Sequence, residues 1–103
     1  VHRTLGPGYM ESVYEEALSI ELTIRGIPIE RQKRIAVSYK GYNIGEGRID
    51  LLVKNTVIVE LKTVEALIPV HKAQLISYLK ATEKQIGLLI NFNVSLLKDG
   101  IKR

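Results

Sequence analysis

Residues 48–64, RIDLLVKNTVIVELKTV, leave the chain little freedom in what it can become. Ile49, Leu51, Leu52 and Val53, then Val57, Ile58, Val59 and Leu61, form two nearly continuous apolar runs. Strands that read this way are covered on both faces, so this pair belongs in the middle of a sheet with helices packed on each side. Lys54 and Asn55 mark the connection between them, which makes the pair a hairpin. Three charges interrupt it: Asp50, Glu60 and Lys62. A covered strand is a poor place for idle charge, because an unpaired buried carboxylate is costly.

Glu60 and Lys62 lie two apart on one strand and project from the same face, with Leu61 on the other. Whether Asp50 joins them is a matter of register. A two-residue turn at Lys54-Asn55 sets Ile49 opposite Glu60 and sends Asp50 to the wrong face. A three-residue loop, 54–56, or a bulge that corrects the register, sets Asp50 opposite Glu60. In that second arrangement, two carboxylates about 5 Å apart repel by roughly 3 kcal/mol at an effective dielectric of about 20. A divalent cation removes the conflict, since carboxylate oxygens are what Mg²⁺ takes, with water completing its shell. Lys62 beside such a site would orient a water or stabilise charge on a phosphate. By itself the D-x₉-E-x-K spacing is also that of a surface hairpin with an exposed acidic pair and an E-x-K bridge. The apolar residues on both faces argue for the covered site.

The rest of the chain supplies the cover. Gly6-Pro7-Gly8 and Gly26 bracket a helix over residues 9–25, with Met10, Val13, Tyr14, Ala17, Ile20 and Ile24 on its apolar arc. On that arc Glu11 sits at the edge, one turn before Tyr14, and could reach the hairpin's acids from the side. Glu21 falls near the middle, where the expectation is an ion pair with Arg31, Lys33 or Arg34. Residues 28–40 read as a strand, and KGYNIGEG as a hairpin turn followed by an irregular or bulged strand start. Pro69 opens a second helix that runs to about Thr82, QIGLLINF is a further strand, and from Asn93 the chain turns, with one more short element. The order α-β-β-β-α-β gives an α/β (α+β) fold, a mixed sheet flanked by helices. The strands on either side of the second helix are expected to be parallel. On that helix Gln74 and Tyr78, four apart, share a face that can lie over the site. His71, three before Gln74, reads as a helix-start residue rather than a ligand.

Composition narrows the function classes. At 103 residues, 46% hydrophobic and 25% charged, the chain is one domain able to bury a core. It has no Cys, which excludes disulfides and thiolate metal sites and fits a cytoplasmic setting. No apolar run approaches the roughly 18 residues of a membrane span. The net charge of +4 is a mild bias compatible with a polyanion. Arg31, Lys33, Arg34 and Lys72 are the candidates for tracking a phosphate backbone.

These pieces resemble a known family. Gly8-Tyr-Met-Glu11-Ser-Val-Tyr14 reads as G-x-x-E-x-x-Y. Together with Asp50, Glu60-Leu-Lys62, AQLISYL and GLLINF, it is similar to the small bacterial GxxExxY proteins, which are placed in the PD-(D/E)XK nuclease superfamily. The resemblance implies a restriction-endonuclease-like core and a Mg²⁺- or Mn²⁺-dependent nuclease; it supplies a chemistry and no substrate, and DNA is expected ahead of RNA. It implies that Asp50, Glu60 and Lys62 are catalytic, that Asp50, Glu60 and Glu11 hold the metal, and that Gln74 and Tyr78 support the site as in the RecB-like Q-x-x-x-Y branch. Ile49 stands where the motif has Pro. It further implies that residues 1–5 continue an element begun upstream. A homodimer or partner protein is the expected source of selectivity at this size. The competing expectation is a non-catalytic nucleic-acid-binding or protein-interaction module on the same fold.

Overall fold

Local breakers set most element boundaries in the computed structural model, which describes residues 1–103. A single helical turn, α1 (His2–Leu5), precedes the Gly-Pro-Gly loop, and α2 spans Glu11–Ile24. It ends where the Gly26 and Ile27 N–H groups reach back to the Thr23 and Leu22 carbonyls, the hydrogen-bond pattern that closes a helix onto a left-handed residue. Strands β1 (Ile29–Tyr39), β2 (Tyr42–Val53) and β3 (Val57–Lys62) follow. Then come α3 (Pro69–Thr82) and β4 (Ile86–Asn91). Pro69 occupies the first turn of α3, where its missing N–H has no partner to lose. His71 Nδ1 accepts the Ile68 N–H at 3.1 Å, a helix-start role. The segment after Asn93 holds a 3₁₀ turn, Leu97–Gly100, and a two-residue strand, β5 (Ile101–Lys102).

The sheet order is β1-β2-β3-β4-β5. Neighbours are antiparallel except β3 and β4, which are parallel across the α3 crossover. Helices cover both faces. On one side Ile35, Ile49, Leu52, Ile58 and Leu89 pack with Leu75 of α3. On the other, Leu51, Val59, Leu61 and Phe92 pack with Tyr14 of α2. No helix is long and apolar enough to cross a membrane.

Two expectations about α2 need correction. Met10 and Ile24 are 75% and 73% exposed, and Val13 and Ile20 also face solvent. Of the expected arc Tyr14 does face the sheet, fully buried, and Leu18 packs beside it. The roll of the helix is set by Tyr14, which stacks on Phe92 with ring centroids 4.5 Å apart and donates its hydroxyl to the Gly6 carbonyl at 2.5 Å. This turns Glu11 and Glu15 toward the sheet. Glu21 then lies away from the basic strand and pairs along the helix with Arg25 at 3.0 Å, not with Arg31, Lys33 or Arg34.

Apart from a bulge near the β1–β2 turn, where Val37 pairs with Gly45 and Ser38 with Asn43, the alternation of faces breaks at one level shared by β1 and β2. Ile49 and Leu51 are two apart yet lie on opposite sides of the sheet. In β1, Arg31 pairs with α2 while Ile35 packs on the α3 side, an even spacing that likewise changes face. Gln32, with φ of 49°, lies between them, and the β1–β2 register is the same on either side of it. Both strands therefore roll over together at the Gln32–Asp50 level, and pairing resumes beyond.

Candidate functional site

One extra residue in the β2–β3 connection decides where Asp50 goes. Lys54 and Asn55 both have positive φ, 53° and 55°, and the Thr56 N–H donates to the Val53 carbonyl at 3.0 Å, which is a type I′ turn. Thr56 is then left over before β3 begins, so the loop has three residues and Val53 pairs with Val57. Leu52–Ile58 and Leu51–Val59 follow. The next step of that register sets Asp50 opposite Glu60.

Beyond Leu51–Val59 the ladder gives way to side chains. Glu60 Oε1 accepts the Asp50 N–H at 3.2 Å, and Asp50 Oδ2 accepts the Leu61 N–H at 2.7 Å. Each carboxylate thus takes a backbone donor of the opposite strand, and the pair fills the fork between β2 and β3. Both side chains are held in place by these backbone donors.

The electrostatics of this fork are costly. Glu60 is only 4% exposed. Burial, and then the charge of Asp50, push its carboxyl from the usual 4.5 up to about 8, while the Asp50 N–H and Lys62 pull the other way. Glu11, at the start of α2, is also raised, first by burial and then by Asp50, with Lys62 opposing. Glu11 and Glu60, one on a helix and one on a strand, therefore each feel the charges of Asp50 and Lys62. Lys62 takes part in none of the chain's ion pairs.

No three His, Cys, Asp or Glu side chains gather closely enough to enclose a metal ion. The Asp50–Glu60 pair suits a hard cation that uses one or two carboxylates and keeps its own water, as Mg²⁺ does. It lacks the nitrogen and sulfur donors of a zinc site.

The α3 residues sit differently. Gln74 Nε2 donates to the Tyr78 hydroxyl at 3.1 Å, and no hydrogen bond joins either to Asp50, Glu60 or Lys62. Tyr78 packs on the α3-side core and lies against Gly47 so closely that a Cβ there would come within 2.8 Å of its ring. That contact explains why position 47 carries no side chain. Of the basic candidates, Arg31 is held by Glu15 at 3.1 Å and Glu16 at 2.8 Å, and Lys33 by Glu30 at 2.6 Å. Arg34 has only Glu46 at 3.9 Å, and Lys72 is exposed without a partner.

Three residues of this region escape a reading of the sequence. Arg48 lies directly opposite Arg34 and has no acidic partner. Gln32 donates to Glu15 and, at 3.4 Å, to Asp50 Oδ1. Asn91, 2% exposed, bonds the Val64 N–H and carbonyl and pins the chain just past Lys62. Arg48 had a signal in its spacing, two residues before Asp50. Nothing in the local sequence marks Gln32, a neutral residue inside a basic run.

A family model described as the PD-(D/E)XK nuclease superfamily matches residues 1–103. No curated protein and no solved structure matches the chain.

Proposed function

The chain belongs to the PD-(D/E)XK nuclease superfamily, and we propose that it hydrolyses phosphodiester bonds in nucleic acid, DNA before RNA, with Mg²⁺ or Mn²⁺ as cofactor. The observation that carries this reading is the fork itself. Two carboxylates occupy one level of a covered hairpin, each bonded to the opposite backbone, and one of them is pushed up to about 8 by burial and by its neighbour. A fold selected for stability alone has no use for that pair.

In this reading Asp50 and Glu60 hold the cation, and Glu11, not close enough in this structure to make a third ligand, would have to draw in from α2. When bound, the cation supplies positive charge that offsets the carboxylates and stabilises charge developing on the phosphate. Lys62, outside every ion pair of the chain, presents an ammonium donor to a phosphate oxygen or to the attacking water. Gln74 and Tyr78 brace the α3 side through their mutual bond. Of the cations named for the backbone, Lys72 and Arg48 have no acidic partner and Arg34 has only Glu46 at 3.9 Å. Arg31 and Lys33 would first have to leave their carboxylates, and exposed pairs of that kind are weak.

The finer assignment to the GxxExxY proteins gains a physical rationale. Gly8 takes φ of 107°, a left-handed value that favours glycine, in the loop before α2. Glu11 begins the helix within the field of Asp50 and Lys62. Tyr14 anchors the helix on Phe92 and closes the loop through its hydroxyl.

The test is incubation of labelled single- and double-stranded DNA and RNA with Mg²⁺, Mn²⁺ or EDTA, alongside Asp50→Ala and Lys62→Ala. Metal-dependent cleavage lost in both variants is the expected result. Cleavage that survives the substitutions, or none with any substrate and metal, overturns the enzyme reading. The exposed apolar stripe of α2, Met10, Val13, Ile20 and Ile24, is what favours the second reading, an interaction module on the same fold. Salt-sensitive binding without cleavage would support it.

A further inference from the structure

We infer that Gln32 is a positioning residue that sets Asp50, and the helix bearing Glu11, for the cation; this rests on the cation reading above. Gln32 stands in the same cross-strand row as Asp50 and Glu60, since the β1–β2 register on both sides of it brings it opposite Asp50. Its φ of 49° lies in the left-handed region, where a residue with a Cβ is strained and glycine is not. A sequence seeking only a stable kink would carry Gly here. Gln has no backbone advantage at this position, so the reason for it lies in its side chain.

That side chain does two things. Its amide nitrogen donates to Glu15 of α2 and, by a longer contact of 3.4 Å, to Asp50 Oδ1. The other oxygen of Asp50 is already fixed by the Leu61 N–H at 2.7 Å. Both oxygens of the carboxylate are thus oriented, and each keeps a lone pair free. Because the donor is a neutral amide, it orients Asp50 without cancelling the negative charge a cation needs. A Lys or Arg in its place would compete with the metal.

The second link matters as much. Glu15 is anchored by Arg31 and sits one turn after Glu11 on α2. The chain Arg31–Glu15–Gln32–Asp50 therefore ties the helix that supplies Glu11 to the strand that supplies Asp50. The shared kink in β1 and β2 is what brings the Gln32 side chain to both.

The experiment measures two properties of Gln32→Gly: Mn²⁺ affinity by titration calorimetry, and thermal unfolding in EDTA. Relief of the left-handed strain should leave the unfolding temperature equal or raised, while Mn²⁺ affinity falls about tenfold, the scale typical of losing a partner that orients a metal ligand. Gln32→Asn, which tolerates a left-handed backbone better but is one methylene shorter, should behave like the glycine variant. In an Asp50→Asn background, Gln32→Gly should change whatever Mn²⁺ affinity remains far less than it does alone. Mn²⁺ binding unchanged in Gln32→Gly overturns the positioning role while leaving the cation reading intact. So does a glycine variant that unfolds early in EDTA, which would make Gln32 a structural residue. Absence of Mn²⁺ binding in the unsubstituted protein overturns both.

Discussion

Replacing Glu60 by Gln should stabilise the metal-free protein above neutral pH. The carboxyl moves from 4.5 to about 8 on folding, chiefly through burial and then through the charge of Asp50. Each pH unit of such displacement is worth about 1.4 kcal/mol, so the full effect is on the order of 5 kcal/mol. The sign follows from proton binding. The folded state holds this proton more tightly than the unfolded chain does, so the contribution to stability is complete below 4.5 and is lost as pH rises through 8. Integrated between pH 5 and 7 the loss is about 2–3 kcal/mol, a large share of the roughly 5–15 kcal/mol typical of a domain. The raised carboxyl of Glu11 adds a loss in the same direction. Gln at position 60 keeps a carbonyl oxygen to accept the Asp50 N–H and has nothing to ionise. Urea unfolding in EDTA at pH 5, 6, 7 and 8 should show the parent protein losing about 2–3 kcal/mol from pH 5 to 7 and Glu60→Gln losing much less. Asp50→Asn removes only the second cause and should flatten the slope in part. A parent stability that is level or rising over this range, or an equal slope in Glu60→Gln, would refute the reasoning.

Deleting Thr56 leaves the Lys54-Asn55 turn but sets Ile49 opposite Glu60, so Mn²⁺ affinity should be lost and stability should drop by roughly 3 kcal/mol or more as apolar side chains change face, measurable by calorimetry and urea unfolding. Arg34→Ala and Arg48→Ala should each weaken nucleic-acid binding similarly across sequences and reduce its log–log salt dependence by about 1, whereas Arg31→Ala should do less; fluorescence anisotropy against salt concentration reads this. Gly47→Ala drives a methyl group to within 2.8 Å of the Tyr78 ring and should cost about 1–3 kcal/mol in thermal unfolding, with the loss reduced when Tyr78 is also shortened.

Much of this architecture is legible along the chain because its causes are local. Gly-Pro-Gly, Gly26 and Pro69 bound the helices within two residues of where they lie, and the apolar runs at 49–53 and 57–61 become the covered strands. The arrangement of charges in D-x₉-E-x-K is likewise a property of the sequence. The roll of α2 is not, because two overlapping arcs on that helix are each plausible sheet-facing stripes. One carries Met10, Val13, Ile20 and Ile24, the other Tyr14 and Leu18. A stack on Phe92, far along the chain, selects between them.

The same division holds at the fork. Sequence by itself determined which residues bring charge to the hairpin and that Glu60 and Lys62 share a face, since both follow from a strand's period of two. Only the tertiary structure decided that Asp50 stands opposite Glu60, because that rests on one unpaired residue, Thr56, after a turn that the local sequence supports with or without it. Only the tertiary structure placed Gln32 beside Asp50, 18 residues away, and beside Glu15, 17 residues away. Contacts of that span depend on strand register and helix roll, and those are settled by the packing of the whole sheet.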